Sequence, residues 1–408
     1  MRYNFDKRIP RNGTNSLKWD FISHGGTRRQ WDETDPSLHD RPILPLWVAD
    51  MDFPSPKPVI DAVTAAAQRG IYGYTLPGAG YYDAIIAWMK RRQGWHVERD
   101  WICLTAGIVP ALHMLVSTYV RPGEKIILQP PVYYPFYWAV ENSAAIVLRN
   151  PLVYENGQYR MDFEDLATKC ADPAAKLLIL CSPHNPVGRV WSESELRRLG
   201  DICLANGVLV VSDEIHGDLI FGSSRFTPYA GLGAVYANQS VICTAPSKTF
   251  NLAGLQSSNV IIPNERLRSR YQETLKSNGL YSLNLFGTLA VEVAYSHGED
   301  WLKQVIAYIE ENYQFLLTFI AEHLPQLRVI PMEGTYLVWI DCRALGLDTE
   351  ALDHLMLQEA RVYLDEGSLF GPEGDGFERI NLACPRSVLV EALDRMRTAI
   401  RSLQSLEK

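Results

Sequence analysis

Short apolar runs alternate with helix-like segments between about residue 100 and residue 262, and this alternation constrains the fold more than any other feature. The pattern is typical of strands joined by crossover helices, and it therefore predicts an α/β fold. Because the runs are apolar throughout, we expect a largely parallel sheet with helices on both faces and ligands at the carboxyl ends of its strands. The predicted strands are 125–129, 145–148, 176–181, 208–212, 240–244 and 258–262.

The length of the chain predicts two domains, because 408 residues exceed what a single ordinary core accommodates. We expect an N-terminal segment over 1–50 that packs with a small domain, a large domain over 51–285, and the small C-terminal domain over 286–408. Mixed helix-like and strand-like stretches indicate that the small domain is α+β. These stretches are 301–323, 335–341, 349–359 and 377–382.

Charge and cysteine usage exclude several classes of partner. The net charge of -8, without a block of like charges, argues against nucleic acid or an anionic membrane and favours a small-molecule substrate. The N-terminus has no apolar signal segment, and no apolar run approaches the roughly 20 residues that span a bilayer. The 7 cysteines lack C-x-x-C spacing, which predicts reduced, packed thiols, no metal site and a cytoplasmic protein.

An amide, a carboxylate and an amine occur in that order along the chain, each shortly after a predicted strand. Asn185 stands in SPHNPVG, Asp213 in SDEIH and Lys248 in TAPSKTFNLAG. In a pyridoxal 5'-phosphate (PLP) enzyme, such a carboxylate pairs with the protonated pyridine nitrogen, and the amide donates to the phenolic oxygen. The amine holds the cofactor and, once displaced by the substrate amine, acts as the base at Cα. Each residue has a structural alternative, namely a helix cap, an Asn-Pro turn and a solvated lysine. Their conjunction at the strand ends of one sheet favours a PLP site.

A fourth motif, TAGIVPAL, begins a helix-like stretch with a glycine and small residues. Unpaired backbone N–H groups and the helix dipole favour a phosphate at such a position. The amides of Gly107 and Ile108 are therefore candidate phosphate ligands. Taken alone, the motif has the simpler alternative of an ordinary helix start.

With these motifs, the chain resembles the fold type I PLP enzymes, the aspartate aminotransferase superfamily, over nearly its whole length. The segment PLWVADMDF at 45–53, with SPHNP and DEIH, is most similar to the MalY/PatB-type cystathionine β-lyases. The resemblance implies a PLP-dependent transferase-like large domain, with a mostly parallel mixed sheet between helices, and a smaller α+β C-terminal domain. It also implies PLP-dependent cleavage of cystathionine or related S-substituted cysteines to a thiol, pyruvate and ammonia.

The same resemblance implies roles for further residues. Tyr133 would stack on the PLP ring, and Arg379 would bind the substrate α-carboxylate together with Asn185. Tyr74 would reach the phosphate of the neighbouring subunit's cofactor, which implies a homodimer with shared sites, and Tyr72 is an alternative for that role. Core packing of Tyr133, a surface ion pair of Arg379 and an ordinary mobile loop around the tyrosines are the structural alternatives.

The sequence departs from the aminotransferase pattern at three positions. Gln256 stands eight residues after the lysine, where many relatives carry a phosphate-binding arginine. Ala245 replaces a common serine, which leaves Ser247 and backbone amides as the expected phosphate donors. His216 replaces a tyrosine that contacts the phenolic oxygen, where its ring could donate instead. These departures fit a lyase better than a typical aminotransferase.

Two alternative functions stay open. An aminotransferase shares the chemistry up to removal of the Cα proton, so the same residues serve both reactions. A regulatory binding protein on the same fold is the other alternative, against which the intact Asn185, Asp213 and Lys248 argue. The sequence does not identify the thiol that leaves, because the shape of the substrate pocket depends on loop conformations.

Overall fold

The computed structural model describes residues 1–24, 27–30, 42–280 and 282–406. Contacts between Cα atoms divide the chain into two compact units. The large unit comprises Met1, Pro54–Lys303 and Glu333–Thr335, and the small unit comprises Arg2–Phe53, Gln304–Met332 and Tyr336–Lys408. The domain boundaries predicted from sequence stay a prediction, and part of the segment predicted over 1–50 lies outside the described residues.

The strands are short, and most of them end at a polar residue or a turn. In chain order, β1 to β17 are Phe21–His24, Thr27–Gln30, Leu44–Pro45, Ile102–Thr105, Lys125–Leu128, Ile146–Arg149, Val153–Glu155, Gln158–Arg160, Ala175–Cys181, Leu209–Asp213, Ser240–Thr244, Ser258–Ile261, Arg328–Val329, Leu337–Asp341, Val362–Tyr363, Asp365–Glu366 and Phe377–Asn381.

Several helices begin at a side-chain cap, as Ser192, Asn264 and Asn284 do for three of them by accepting a hydrogen bond from a first-turn N–H group. In chain order, α1 to α14 are Leu17–Asp20, Lys57–Gln68, Ala79–Trp88, Ile108–Tyr119, Pro135–Glu141, Phe163–Cys170, Glu193–Asn206, Ala234–Asn238, Pro246–Thr249, Glu265–Ser277, Leu285–His297, Glu299–His323, Thr349–His354 and Arg386–Leu406.

The large unit contains a seven-stranded sheet in the order β4-β12-β11-β10-β9-β5-β6. Strands β11, β10, β9, β5 and β6 pair in parallel, whereas β12 pairs antiparallel with both β11 and β4. The predicted mixed, mostly parallel sheet is therefore confirmed, and the six predicted strands are present with small shifts at their ends. Strand β4 is absent from the predicted set, because its residues run directly into the TAG turn, which the sequence analysis interprets as the start of a helix.

Alternate residues of the central strands determine which face meets which helix. Val211, Val241 and Cys243 belong to a buried apolar cluster with residues of α4, including Leu112, and of α10, including Tyr271. Residues that follow these strands therefore lie at the carboxyl edge of a sheet with a dry, packed face. No helix among the described residues has the length and apolar character needed to cross a membrane.

The small unit contains a four-stranded antiparallel sheet in the order β13-β14-β17-β16. It also contains the short parallel pair β3 and β15. Much of α12 and all of α14 belong to this unit, so it mixes helices and strands as the sequence predicts.

Candidate active site

Asp213 is the last residue of β10 and lies at the carboxyl edge of the large sheet. Its register partners are Cys181 at the end of β9 and Cys243 near the end of β11. Lys248 follows β11 within the short helix α9, and its positive charge acts on the Asp213 carboxylate. The fold therefore brings together the acid and the amine that the sequence analysis places at strand ends.

Burial has the largest effect on the pKa of Asp213, which is 5% exposed. Burial raises the pKa of its carboxyl to about 7, against the opposing effects of a hydrogen bond from the Ile215 N–H group and of the Lys248 charge. A cation placed against this carboxyl would favour its ionised form. The site therefore fits a group that carries a protonated ring nitrogen, as PLP does.

The loops that follow β5 and β9 are tied together next to this carboxylate. The N–H group of Asn185 donates to Cys181 Sγ over 3.3 Å, and its carbonyl accepts from Tyr133 N over 3.1 Å. His184 is fully buried, and burial lowers the pKa of its imidazole to about 4, so the neutral ring donates from Nε2 to the Pro131 carbonyl at 2.9 Å. Asn185 and the half-buried Tyr133 are thereby held at adjacent positions on the sheet edge.

The helix that carries Lys248 is held by a hydrogen bond to a buried acid, Asp218. Pro246 begins α9, where its fixed backbone suits a first helical position. Thr249, which follows the lysine, donates from Oγ1 to Asp218 Oδ2 over 2.9 Å. Trp88 Nε1 donates to both oxygens of Asp218 at 3.1 Å.

This anchor was not predicted from the sequence. The available signals were weak: Asp218 lies a few residues beyond the DEIH motif, and Thr249 is adjacent to the lysine. Neither signal indicates that the two side chains meet, because their contact depends on how the segment after β10 folds against α9. The Asp218 carboxyl is buried, which raises its pKa, and the hydrogen bonds from Thr249 and Trp88 oppose that rise.

The start of α4 has the features of a phosphate site. Gly107 caps the helix, and its carbonyl accepts a hydrogen bond from Thr105 Oγ1. The amides of Gly107 and Ile108 belong to a helix start, where N–H groups have no partner within the helix and favour an anion. The donor set thus also fits the phosphate of PLP.

The positions that depart from the aminotransferase pattern surround the same edge. Ala245 is buried directly after β11, and the half-buried Ser247 lies on α9 with its carbonyl accepting from Leu252 N. His216 is buried in the turn after β10. Gln256 adopts a left-handed backbone conformation with φ of 48° and follows a short 3₁₀ turn.

The two tyrosines considered for a role at the neighbouring subunit differ in their surroundings. Tyr74 is fully exposed. Tyr72 is also exposed, but its hydroxyl donates to the Ala67 carbonyl at 2.8 Å, and its ring lies 5.9 Å from that of Phe286. Tyr74 is therefore the more exposed of the two tyrosines.

Arg379 lies in the small unit, on β17, and is 2% exposed. Its Nη2 atom pairs with Asp365 and donates to the Trp47 carbonyl at 2.7 Å, and its guanidinium lies 5.0 Å from the centre of the Phe370 ring. Burial raises the pKa of Asp365 to about 6, although the Arg379 charge lowers it. The alternative of a surface ion pair is therefore wrong, since this pair is buried.

The chain matches one protein family over most of its length and is similar to a protein of known activity. The pattern of the family described as aminotransferase class I and II matches residues 41–396. The chain is 44% identical over 397 residues to cystathionine β-lyase PatB of Bacillus subtilis (strain 168), with 97% of this chain and 100% of that protein covered.

Two solved structures are similar over almost the full length. Cystalysin from Treponema denticola, whose crystal structure contains a pyridoxal 5'-phosphate cofactor, has a TM-score of 0.92 and 37% identity, with 99% of this chain and 100% of that chain covered. The PLP-bound C–S lyase of Staphylococcus hominis has a TM-score of 0.88 and 32% identity, with 98% of each chain covered.

Proposed function

The chain belongs to the aminotransferase class I and II family, and from this membership and the geometry of the site we propose that it is a PLP-dependent carbon–sulfur β-lyase. Its substrates would be cystathionine or related S-substituted cysteines, which it would cleave to a thiol, pyruvate and ammonia. The observation that carries the proposal is the buried Asp213 carboxyl at the sheet edge, with the Lys248 charge acting on it. The resemblance to fold type I PLP enzymes is confirmed by the family match.

The residues of the large unit would hold the cofactor by complementary chemistry. Lys248 would bind it covalently, Asp213 would pair with the ring nitrogen, and Tyr133 would pack on the ring. When bound, PLP supplies an acceptor for the electron pair that remains after a proton leaves Cα. The donors proposed for its oxygens are Asn185 and His216 at the phenolic oxygen, and Gly107, Ile108 and Ser247 at the phosphate.

The residues of the chain then orient the substrate and move one proton. Arg379 and Asn185 would hold the α-carboxylate, which fixes the direction of the Cα–H bond. The amine of Lys248, freed when the substrate's amine takes its place on the cofactor, would take the Cα proton. The Cβ–S bond would then break, and the thiolate would leave with the electrons of that bond and be protonated to the thiol. The remaining three-carbon enamine would take up water and yield pyruvate and ammonia, which balances the reaction.

A lyase and an aminotransferase differ in what happens after the Cα proton is removed. The departures at His216, Ala245 and Gln256, together with the relatives named as lyases, favour elimination. The test is to incubate the purified holoenzyme with cystathionine in the absence of any keto acid. We expect pyruvate and free thiol in equal amounts, whereas amino transfer that requires a keto acid would contradict the lyase assignment.

A matched pair of variants shows whether the products come from this site. Lys248→Ala removes the proposed base and is expected to abolish pyruvate release. Lys276→Ala removes an exposed lysine of α10 and is expected to leave it unchanged.

We further propose a homodimer with shared active sites and a cytoplasmic location. The exposed segment before α3 supports the dimer, because it presents several large apolar side chains that a partner subunit could cover. These are Ile71, Tyr72, Tyr74 and Leu76. The cysteines support a reducing compartment, since the described structure contains all seven as buried, free thiols.

A further inference from the structure

The PLWVADMDF motif contains a backbone segment whose carbonyls are all held by side chains. We call Trp47–Met51 the carbonyl strip. Each of its five carbonyl oxygens accepts a hydrogen bond from a side chain of the small unit. The donors are Arg379 to Trp47 at 2.7 Å, Asn381 to Val48 at 2.7 Å, Tyr336 to Ala49 at 2.7 Å, Asn381 to Asp50 at 2.7 Å and Arg11 to Met51 at 3.3 Å.

Such complete side-chain pairing distinguishes the strip from an ordinary connecting segment. Loop carbonyls usually face water, and ordering them costs conformational entropy. Here every carbonyl of the strip is restrained by a hydrogen bond. The position of one carbonyl therefore depends on how its neighbours are held. The conformation at Trp47 is therefore coupled to the contacts made along the rest of the strip.

Arg379 and Asn381 hold the strip from one strand. They are two residues apart on β17, so their side chains project from the same face. Asn381 is fully buried, and its Oδ1 atom accepts from Ala383 N at 2.8 Å. This bond fixes the amide so that Nδ2 faces the strip and reaches both Val48 and Asp50.

The far end of the strip is held by ion pairs, one of them buried and the others half-buried. Lys18 is 0% exposed, and its Nζ atom lies 2.8 Å from Asp52 Oδ2. Arg11 pairs with Asp50 at 2.6 Å and with Asp52 at 2.8 Å. Two cations thus compensate two carboxylates, which removes the cost of an isolated buried charge and leaves a fixed anchor.

We propose that Asn381 is a positioning residue for the substrate carboxylate. By holding Val48 and Asp50, Asn381 fixes the Trp47 carbonyl, which in turn orients the guanidinium of Arg379. The inference rests on the proposed function, in which Arg379 binds that carboxylate. It gives the PLWVADMDF motif a physical role, namely to present a rigid acceptor to the arginine.

The test compares holoenzyme variants by kinetics and by ligand binding. Asn381→Ala is expected to raise the KM for cystathionine about 10-fold, as the loss of buried hydrogen bonds implies, while kcat changes less than KM. Calorimetry with 3-(methylthio)propionate, a carboxylate that lacks the amine, is expected to show a similar loss of affinity. Tyr336→Phe removes only the bond to Ala49 and is expected to shift both quantities less, in the same direction.

Asn312 provides a matched control in the same unit. Its buried amide also donates to two carbonyls, those of Leu382 and Cys384 at 2.9 Å each, but neither belongs to the strip. Asn312→Ala is expected to lower stability without raising KM. If the Asn312 and Asn381 variants raise KM equally, or if Asn381→Ala lowers kcat alone, the proposal is wrong.

The Arg379→Lys variant separates this proposal from the proposed function. Weaker binding of 3-(methylthio)propionate in Arg379→Lys, with unchanged binding in both Asn381→Ala and Tyr336→Phe, would overturn the positioning role alone. Unchanged binding in Arg379→Lys would overturn the role of the arginine, and the positioning proposal with it.

Discussion

The hydroxyl of Thr249 donates a 2.9 Å hydrogen bond to Asp218, and Thr249 is the residue that follows Lys248. The carboxylate also accepts from Trp88, so three separate segments of the large unit meet at one buried acid. Because α9 is only four residues long, it has few hydrogen bonds of its own to hold the lysine in place. The contact between Thr249 and Asp218 therefore supplies orientation that the short helix lacks.

Replacing Thr249 by valine should impair catalysis through the position of the lysine. The variant keeps the shape of the side chain but removes a donor to a buried carboxylate, so the free energy of unfolding should fall by about 1–3 kcal/mol. We expect kcat to fall more than KM changes, and Thr249→Ser to restore much of it. Urea denaturation and steady-state kinetics measure the two effects.

A control for this variant removes a similar bond elsewhere. Thr118 Oγ1 on α4 bonds to Thr274 Oγ1 on α10 at 2.9 Å. Thr118→Val should lower stability but leave kcat unchanged. A Thr249→Val enzyme with reduced stability and normal kcat would show that the contact is merely structural.

Replacing Asp213 by asparagine should abolish most activity while the fold is kept. The variant has the same size, but it cannot offer a negative charge to a protonated ring nitrogen. Because electrostatic groups of this kind typically contribute two to three orders of magnitude, we expect kcat/KM to fall at least about 100-fold. Asp172→Asn, which alters a carboxylate that pairs with Lys125, is the control and should remain active. Activity within a few-fold of wild type in Asp213→Asn would contradict the proposed role.

The small unit should lose stability as the pH rises, because Glu366 and Glu378 face each other on β16 and β17. Burial and the neighbouring Asp353 raise the pKa of Glu366 to about 8 from its ordinary value of 4.5, and burial raises that of Glu378 well above its ordinary value. Between about pH 4.5 and pH 8, the native state therefore keeps protons on these carboxyls that the unfolded state has already released. Over that window the free energy of unfolding should decrease as the pH rises.

Chemical denaturation at a series of pH values measures this dependence. Glu366→Gln removes one of the two facing acids, so the decrease between pH 4.5 and pH 8 should become shallower. Glu311→Gln, on α12, removes an exposed acid and should leave the slope unchanged. A wild-type protein whose stability rises across this window would show that the pair is not protonated in the native state.

Mixing two inactive variants should restore activity if the sites are shared between subunits. A hybrid of Lys248→Ala and Tyr74→Ala chains has one site with both residues intact, so random exchange should recover about one quarter of the wild-type activity. The measurement is pyruvate release before and after subunit exchange. Tyr72→Ala in place of Tyr74→Ala tests which tyrosine reaches the partner subunit, and an absence of recovery with either would contradict shared sites.

Local patterns in the sequence predict the layout of the large sheet. An apolar run of strand length precedes each of Asn185, Asp213 and Lys248, and such a run is a signal within a short window of sequence. Parallel strands bring their carboxyl ends to one edge of the sheet. For this reason the acid and the amine lie at the same edge of the sheet. The sequence does not indicate that β12 is the strand that runs antiparallel to its neighbours, because the direction of a strand depends on its pairing rather than on its own residues.

The sequence by itself determined the fold class, the family and the chemistry available at the sheet edge, because these follow from periodicity and from motifs read within short windows. Only the tertiary structure decided which groups hold the reacting residues in place. The contact of Thr249 with Asp218 spans 31 residues, and that of Asn381 with Val48 spans 333. Contacts at such separations depend on packing between elements, and a single sequence contains no local signal for them.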